Sequence, residues 1–80
     1  MAEVLRKHGF IFRIWPNDHP PAHVHVYKAE AEITINVGGA VTAPSFRKNR
    51  RMTKKNAFTA LGIVAENQEL FLTKWRKIHG

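Results

Sequence analysis

Two adjacent prolines, Pro20 and Pro21, constrain this chain more than any other feature. Each fixes its own φ and removes a backbone donor. Pro20 also drives His19 out of helical space, and Pro21 does the same to Pro20. The segment therefore has to be a stiff, extended turn. Beyond it the residues alternate as His23, Val24, His25, Val26. In a strand, the two histidines share one face and the two valines the other. A rigid turn carrying Asp18 and His19 thus feeds a strand whose polar face carries two imidazoles. A stiff backbone positions side chains, so this is where a site is expected.

The rest of the chain reads as scaffold. Phe10, Phe12 and Ile14 alternate with Ile11, Arg13 and Trp15, which predicts a strand over about 10–15. Pro16, Asn17 and Asp18 bring turn chemistry. A second strand is expected at 23–28 and a third at 31–37, where Ile33, Ile35 and Val37 alternate with Glu32, Thr34 and Asn36. Gly38 and Gly39 end it in a turn. Residues 40–43 are expected as a short fourth strand, kept to an edge by Pro44. The stretch from Ser45 to Arg51 reads as irregular and basic.

Helix follows over about 53–78. Thr53 is the expected N-cap. Ala57, Phe58, Leu61, Val64 and Ala65 keep helical spacing, continued by Leu70, Phe71, Leu72, Trp75 and Ile78. Gln68 interrupts the stripe and Asn67 can cap a new helix, so a break is expected near Glu66 and Asn67, with one long helix as the alternative. The expected fold is α+β: an antiparallel meander of three to four strands with the C-terminal helix on one face. Its expected core is Phe10, Phe12, Ile14, Val24, Val26, Ile33, Ile35, Phe58, Leu61, Val64, Phe71, Leu72 and Trp75.

With 80 residues the chain is expected to form one domain with a thin core. Association with a partner, or a homodimer, would bury what the monomer leaves exposed. The chain has no cysteine, which excludes disulfides and thiolate metal sites and fits a reducing compartment. No run approaches the roughly 20 apolar residues of a membrane span, and the N-terminus does not resemble a signal peptide. A cytoplasmic protein with no membrane partner is expected.

Formal net charge is +7. Arg47, Lys48, Arg50, Arg51, Lys54 and Lys55 form a cluster without an acid among them. Such a cluster suits a nucleic acid, and it equally suits an acidic protein partner. Phe46 beside it is expected to be buried against the helix.

Three chemistries compete for the histidine run. Histidine exchanges protons near neutral pH, so His19, His23 and His25 fit acid–base cleavage of RNA, with Asp18 orienting an imidazole and the cations holding phosphate. Alternatively the run binds a divalent transition metal such as zinc through His19, His23 and His25, or with Asp18 as the third ligand. In the third reading the run is a rigid hairpin whose polar groups only bond across the turn and strands.

The run from Asn17 to Val26 resembles the signature of a small bacterial family, domain of unknown function 4160. Glu66-Asn67-Gln68-Glu69-Leu70 and Lys74-Trp75 resemble its C-terminal end. The resemblance covers nearly the whole chain and is weakest from Val37 to Met52. Residues shared with the family map onto Asp18, His19, Pro20, Pro21, His23, His25 and Trp75. What the resemblance implies is the toxin half of a two-gene toxin–antitoxin pair, neutralised by a cognate small antitoxin-like protein. The expectation is a small toxin-like effector that binds or cleaves RNA, in the manner of a metal-free ribonuclease. The alternative is a non-catalytic binding module in which the histidines are structural or hold a metal.

Overall fold

A computed structural model describes residues 2–79. Five strands precede two helices: β1 (Ala2–Lys7), β2 (Phe10–Ile14), β3 (His23–Lys28), β4 (Ala31–Asn36), β5 (Ser45–Arg50), α1 (Lys54–Glu66) and α2 (Gln68–His79). The strands form one antiparallel sheet in the order β1-β2-β3-β4-β5. The architecture is α+β, as the alternation patterns imply.

Strand pairing sorts the side chains onto two faces. Phe12 pairs with Val26, Val26 with Ile33, and Val24 with Ile35. These residues, with Phe10 and Ile14, are almost completely buried. One residue along, Arg13 pairs with His25, His25 with Thr34, and Thr34 with Lys48. The second row crosses four strands and is polar from end to end. Because side chains alternate strictly, burying the first row leaves the second on the opposite face.

The helices close the apolar row. Thr53 caps α1 by accepting from the N–H of Asn56 at 3.2 Å. Asn67 separates the helices, as its sequence position suggests. Its N–H reaches the carbonyls of Ile63 and Val64, and its side-chain amide donates to Ile63 O at 2.8 Å. Phe71 of α2 then meets Phe12 of β2 with ring centroids 5.4 Å apart. No described helix is long and apolar enough to cross a membrane.

The strand count exceeds the expected three to four. β1 escaped because a bulge between Glu3 and Leu5 breaks its alternation, leaving Val4 and Leu5 both half-buried. It joins β2 through His8 and Gly9, both at positive φ, the geometry of a two-residue hairpin turn. Residues 40–43 are not the fourth strand. Gly39 and Thr42 instead close a tight turn, with N–H to carbonyl distances of 2.9 and 3.3 Å. Gly38 sits at φ 78°, and a Cβ there would collide with the carbonyl oxygen of Thr42. The basic stretch expected to be irregular is β5. All six of its residues are exposed, so it carries no hydrophobic alternation to read.

The core differs at the helix face. Phe58 is not buried; it is 54% exposed and packs edge-on against Phe46, itself 40% exposed, at 5.2 Å. The inward stripe of α1 is Ala57, Ala60, Ile63 and Val64, set one position around the helix. Small alanines let the helix approach the sheet, which turns Phe58 toward the edge beside β5. Leu61 and Leu72 are only partly buried, whereas Val37 and Met52 join the core.

Candidate functional site

The turn before β3 is tied at both ends. The carboxylate of Asp18 accepts from the N–H of Trp15 at 3.2 Å, and the N–H of Asp18 donates back to Trp15 O at 3.1 Å. In this reciprocal pair Asp18 bonds the backbone of its own turn, as the sequence suggests. The Pro20–Pro21 peptide bond is cis. The carbonyl of Pro21 then lies 2.8 Å from Nδ1 of His23.

Asp18 faces both β3 histidines. Its Oδ2 is 3.0 Å from Nε2 of His25 and 3.5 Å from Nε2 of His23. The side chains of Asp18 and His25 are 16% and 18% exposed, and that of His23 only 5%, so the cluster is largely shielded from water. The two imidazole rings stand 5.4 Å apart at 64°. Aromatic residues wall them in. Trp75 of α2 packs on His23 at 5.2 Å and is itself stacked on His79 at 3.8 Å, while Trp15 meets His25 edge-on at 6.3 Å.

The outer nitrogens are also engaged. Nδ1 of His25 is 3.4 Å from Oε2 of Glu32. Nδ1 of His23 lies near both Pro21 O and, at 3.4 Å, Nη1 of Arg47. It cannot donate to the carbonyl and accept from the guanidinium at once. A carbonyl can only accept, and it is the closer partner, so Nδ1 carries a proton while Nε2 faces Asp18. Arg47 reaches this point because a bulge between Thr34 and Ile35 makes it the extra residue of β5. Its guanidinium also touches Asn36 Oδ1 at 3.5 Å.

Each histidine thus has an oxygen beside Nδ1 and turns Nε2 toward Asp18. Donor atoms from Asp18, His23 and His25 all lie within 4.8 Å of one another, a group that can hold a metal ion. Tetrahedral zinc with ligands at about 2.0–2.1 Å separates those ligand atoms by about 3.3 Å. The two Asp18–histidine distances, 3.0 and 3.5 Å, bracket that value. A hydrogen bond from the outer nitrogen to a carboxylate or carbonyl is also how metal-binding histidines are oriented.

Of the four residues expected at the site, the fold brings together Asp18, His23 and His25. His19 is exposed and makes no hydrogen bond or ion pair among the described residues. The group that converges is thus two histidines with Asp18, not three histidines. Of the six cations, Arg47 touches the cluster; Lys48 and Arg50 share β5 with it, and Arg51, Lys54 and Lys55 lie farther along the chain. Glu32 was absent from the expected set. Its signal was present: Ala29-Glu30 makes a two-residue connection that pairs Lys28 with Ala31, which puts Glu32 diagonal to His25 on the polar face.

Compared with known families, residues 9–76 match the model described as Domain of unknown function (DUF4160). No curated protein and no solved structure matches the chain.

Proposed function

Since the chain belongs to the family described as Domain of unknown function (DUF4160), whose description names no reaction, we propose from the site itself a small effector that holds a divalent transition ion such as zinc and acts with it on RNA. The observation that carries this reading is the convergence of both Nε2 atoms on Asp18 Oδ2, with an oxygen beside each Nδ1. Three protein ligands leave a coordination position open, which is the pattern of catalytic rather than structural zinc. Zinc in such a site supplies Lewis acidity and an activated water near neutral pH.

The chain's own residues supply the rest. Asp18 and His25 fix the acidic edge of the centre, and Glu32 and Pro21 hold the two rings in register. Arg47 stands beside His23 with donors left for a phosphate oxygen, and Lys48 and Arg50 extend positive charge along β5. On this reading the cellular setting is a cytoplasmic toxin–antitoxin pair with a small antitoxin-like partner. Its support is the resemblance carried by the Asp18 to Val26 run and by Lys74-Trp75.

The test is a cobalt(II) titration of the metal-free protein beside a cleavage assay on a mixed pool of cellular RNA. One tightly bound cobalt with a d–d spectrum, lost in His25→Ala, is expected. Cleavage should stop with chelator and return with zinc. Cleavage that survives chelator in a protein that binds no cobalt would overturn the metal and favour acid–base chemistry by the same histidines. Cobalt binding without cleavage would remove RNA hydrolysis and leave a metal-binding module.

A further inference from the structure

A groove of about 400 Å³ opens between the proline turn and the loop after β4. Pro21 and Ala22 line it from the turn, Asn36 from β4, and Gly39, Thr42 and Ser45 from the chain beyond β4. None of the residues lining it is charged, in a chain of net charge +7. One of them, Asn36, nevertheless touches a cation. Asn36 Oδ1 lies 3.5 Å from Nη1 of Arg47, which lies 3.4 Å from Nδ1 of His23. Along one short path the surface therefore passes from the Asp–His cluster, to a guanidinium, to a neutral recess lined with an amide and hydroxyls.

We infer that this groove seats a nucleobase of the RNA whose phosphate Arg47 holds, so that Asn36 is a specificity-determining residue. The inference rests on the reading of the histidine cluster as a phosphodiester-directed site. A nucleotide divides its chemistry as this surface does, into an anionic phosphate and a neutral, hydrogen-bonding base. Arg47 matches the first part bidentately. Asn36 offers a donor and an acceptor in one plane, which is what reads a base edge. Its present bonds to Ser45 Oγ and Arg47, at 3.4 and 3.5 Å, are long and exchangeable for a ligand. The groove's size suits a small-molecule fragment rather than a protein segment. No aromatic side chain lines it, so selection rests on hydrogen bonding rather than stacking.

Gly39 provides a clean probe. Gly39 lines the groove, and a Cβ built there meets nothing within 4 Å, so this lining position accepts a larger side chain without displacing the fold. The experiment measures binding of the four nucleoside monophosphates and of inorganic phosphate, by protein NMR shifts, to the cobalt-checked wild type, Gly39→Leu and Asn36→Ala. At least one monophosphate should bind about tenfold tighter than phosphate, the worth of one or two net hydrogen bonds. Gly39→Leu should remove that margin while keeping phosphate affinity and the melting temperature. Asn36→Ala should level the four bases. Equal affinity for phosphate and all monophosphates in a protein that binds cobalt overturns the groove and spares the metal centre. A monophosphate margin that Gly39→Leu abolishes, in a protein that binds no cobalt, supports the groove and overturns the metal centre. A margin untouched by Gly39→Leu and Asn36→Ala places the base elsewhere and overturns the inference.

Discussion

Glu32 occupies the nitrogen of His25 that Asp18 leaves free: Oε2 of Glu32 lies 3.4 Å from Nδ1, while Asp18 takes Nε2 at 3.0 Å. The two residues are diagonal neighbours across the β3–β4 pairing. Their contact fixes the plane of the ring and so the direction of Nε2. Glu32→Gln keeps shape and removes charge. It should weaken cobalt or zinc affinity by about 10–100-fold, the usual worth of such an outer partner. Competition against a chelating dye measures this. Unchanged affinity would reduce Glu32 to a surface acid.

Charge along β5 makes a separate prediction. Arg47, Lys48 and Arg50 are exposed on an edge strand with no acid among its residues. If they contact phosphates, single-stranded RNA binding will fall steeply with salt. Replacing all three with Gln should flatten the slope of log affinity against log salt by about two. Fluorescence anisotropy with a labelled oligonucleotide at several salt concentrations reads it directly. An unchanged slope would move any anion contact to Arg51, Lys54 and Lys55.

Two aromatic residues of the helical layer should behave oppositely. Phe71 is fully buried against Phe12, so Phe71→Ala should cost about 3–5 kcal/mol. That is a large share of the roughly 5–15 kcal/mol available to a typical domain. Phe58 is half exposed and packs edge-on against Phe46. Phe58→Ala should cost no more than about 1.5 kcal/mol. Urea unfolding of both variants distinguishes this arrangement from one in which Phe58 is core.

Tyr27 is the chain's one tyrosine, so its ionisation can be followed by ultraviolet absorbance without interference from another phenol. Burial pushes its hydroxyl above the usual value, and the carboxylates of Glu32 and Asp18 add to the rise. An interaction with Trp15 and the positive charge of Arg13 work the other way. The folded state thus holds this proton longer than the unfolded chain. The resulting stability is intact below the ordinary tyrosine value of about 10 and is lost as pH rises from there through the folded value. A spectroscopic midpoint above that of free tyrosine is expected, and Tyr27→Phe should flatten the alkaline fall in melting temperature. A midpoint at or below the ordinary value would show that Trp15 and Arg13 dominate.

Much of the scaffold was legible because burial writes a period into the sequence. Phe10, Phe12 and Ile14 in β2, and Val24 and Val26 in β3, alternate because one face of each strand is covered. Thr53 and Asn67 mark helix ends because unsatisfied backbone groups select those side chains. β1 and β5 were hidden for opposite reasons: a bulge disrupts the period in one, and complete exposure removes it in the other. Phe58 misled because a large apolar residue beside an alanine stripe looks like its centre.

The same division holds at the site. Sequence alone determined that Asp18 rides on a stiff turn and that His23 and His25 share a strand face, since proline fixes the backbone locally and strand side chains alternate. Only the tertiary structure decided which partners those groups meet. His19 points away while Asp18 turns in, although they are neighbours in the chain. Glu32 and Arg47 arrive from β4 and β5 through pairing register and a bulge, and Trp75 arrives from α2. Register is set by the burial of a whole sheet face, a collective energy that no short stretch of sequence contains. A three-atom convergence measured in ångströms therefore appears only once that face is packed.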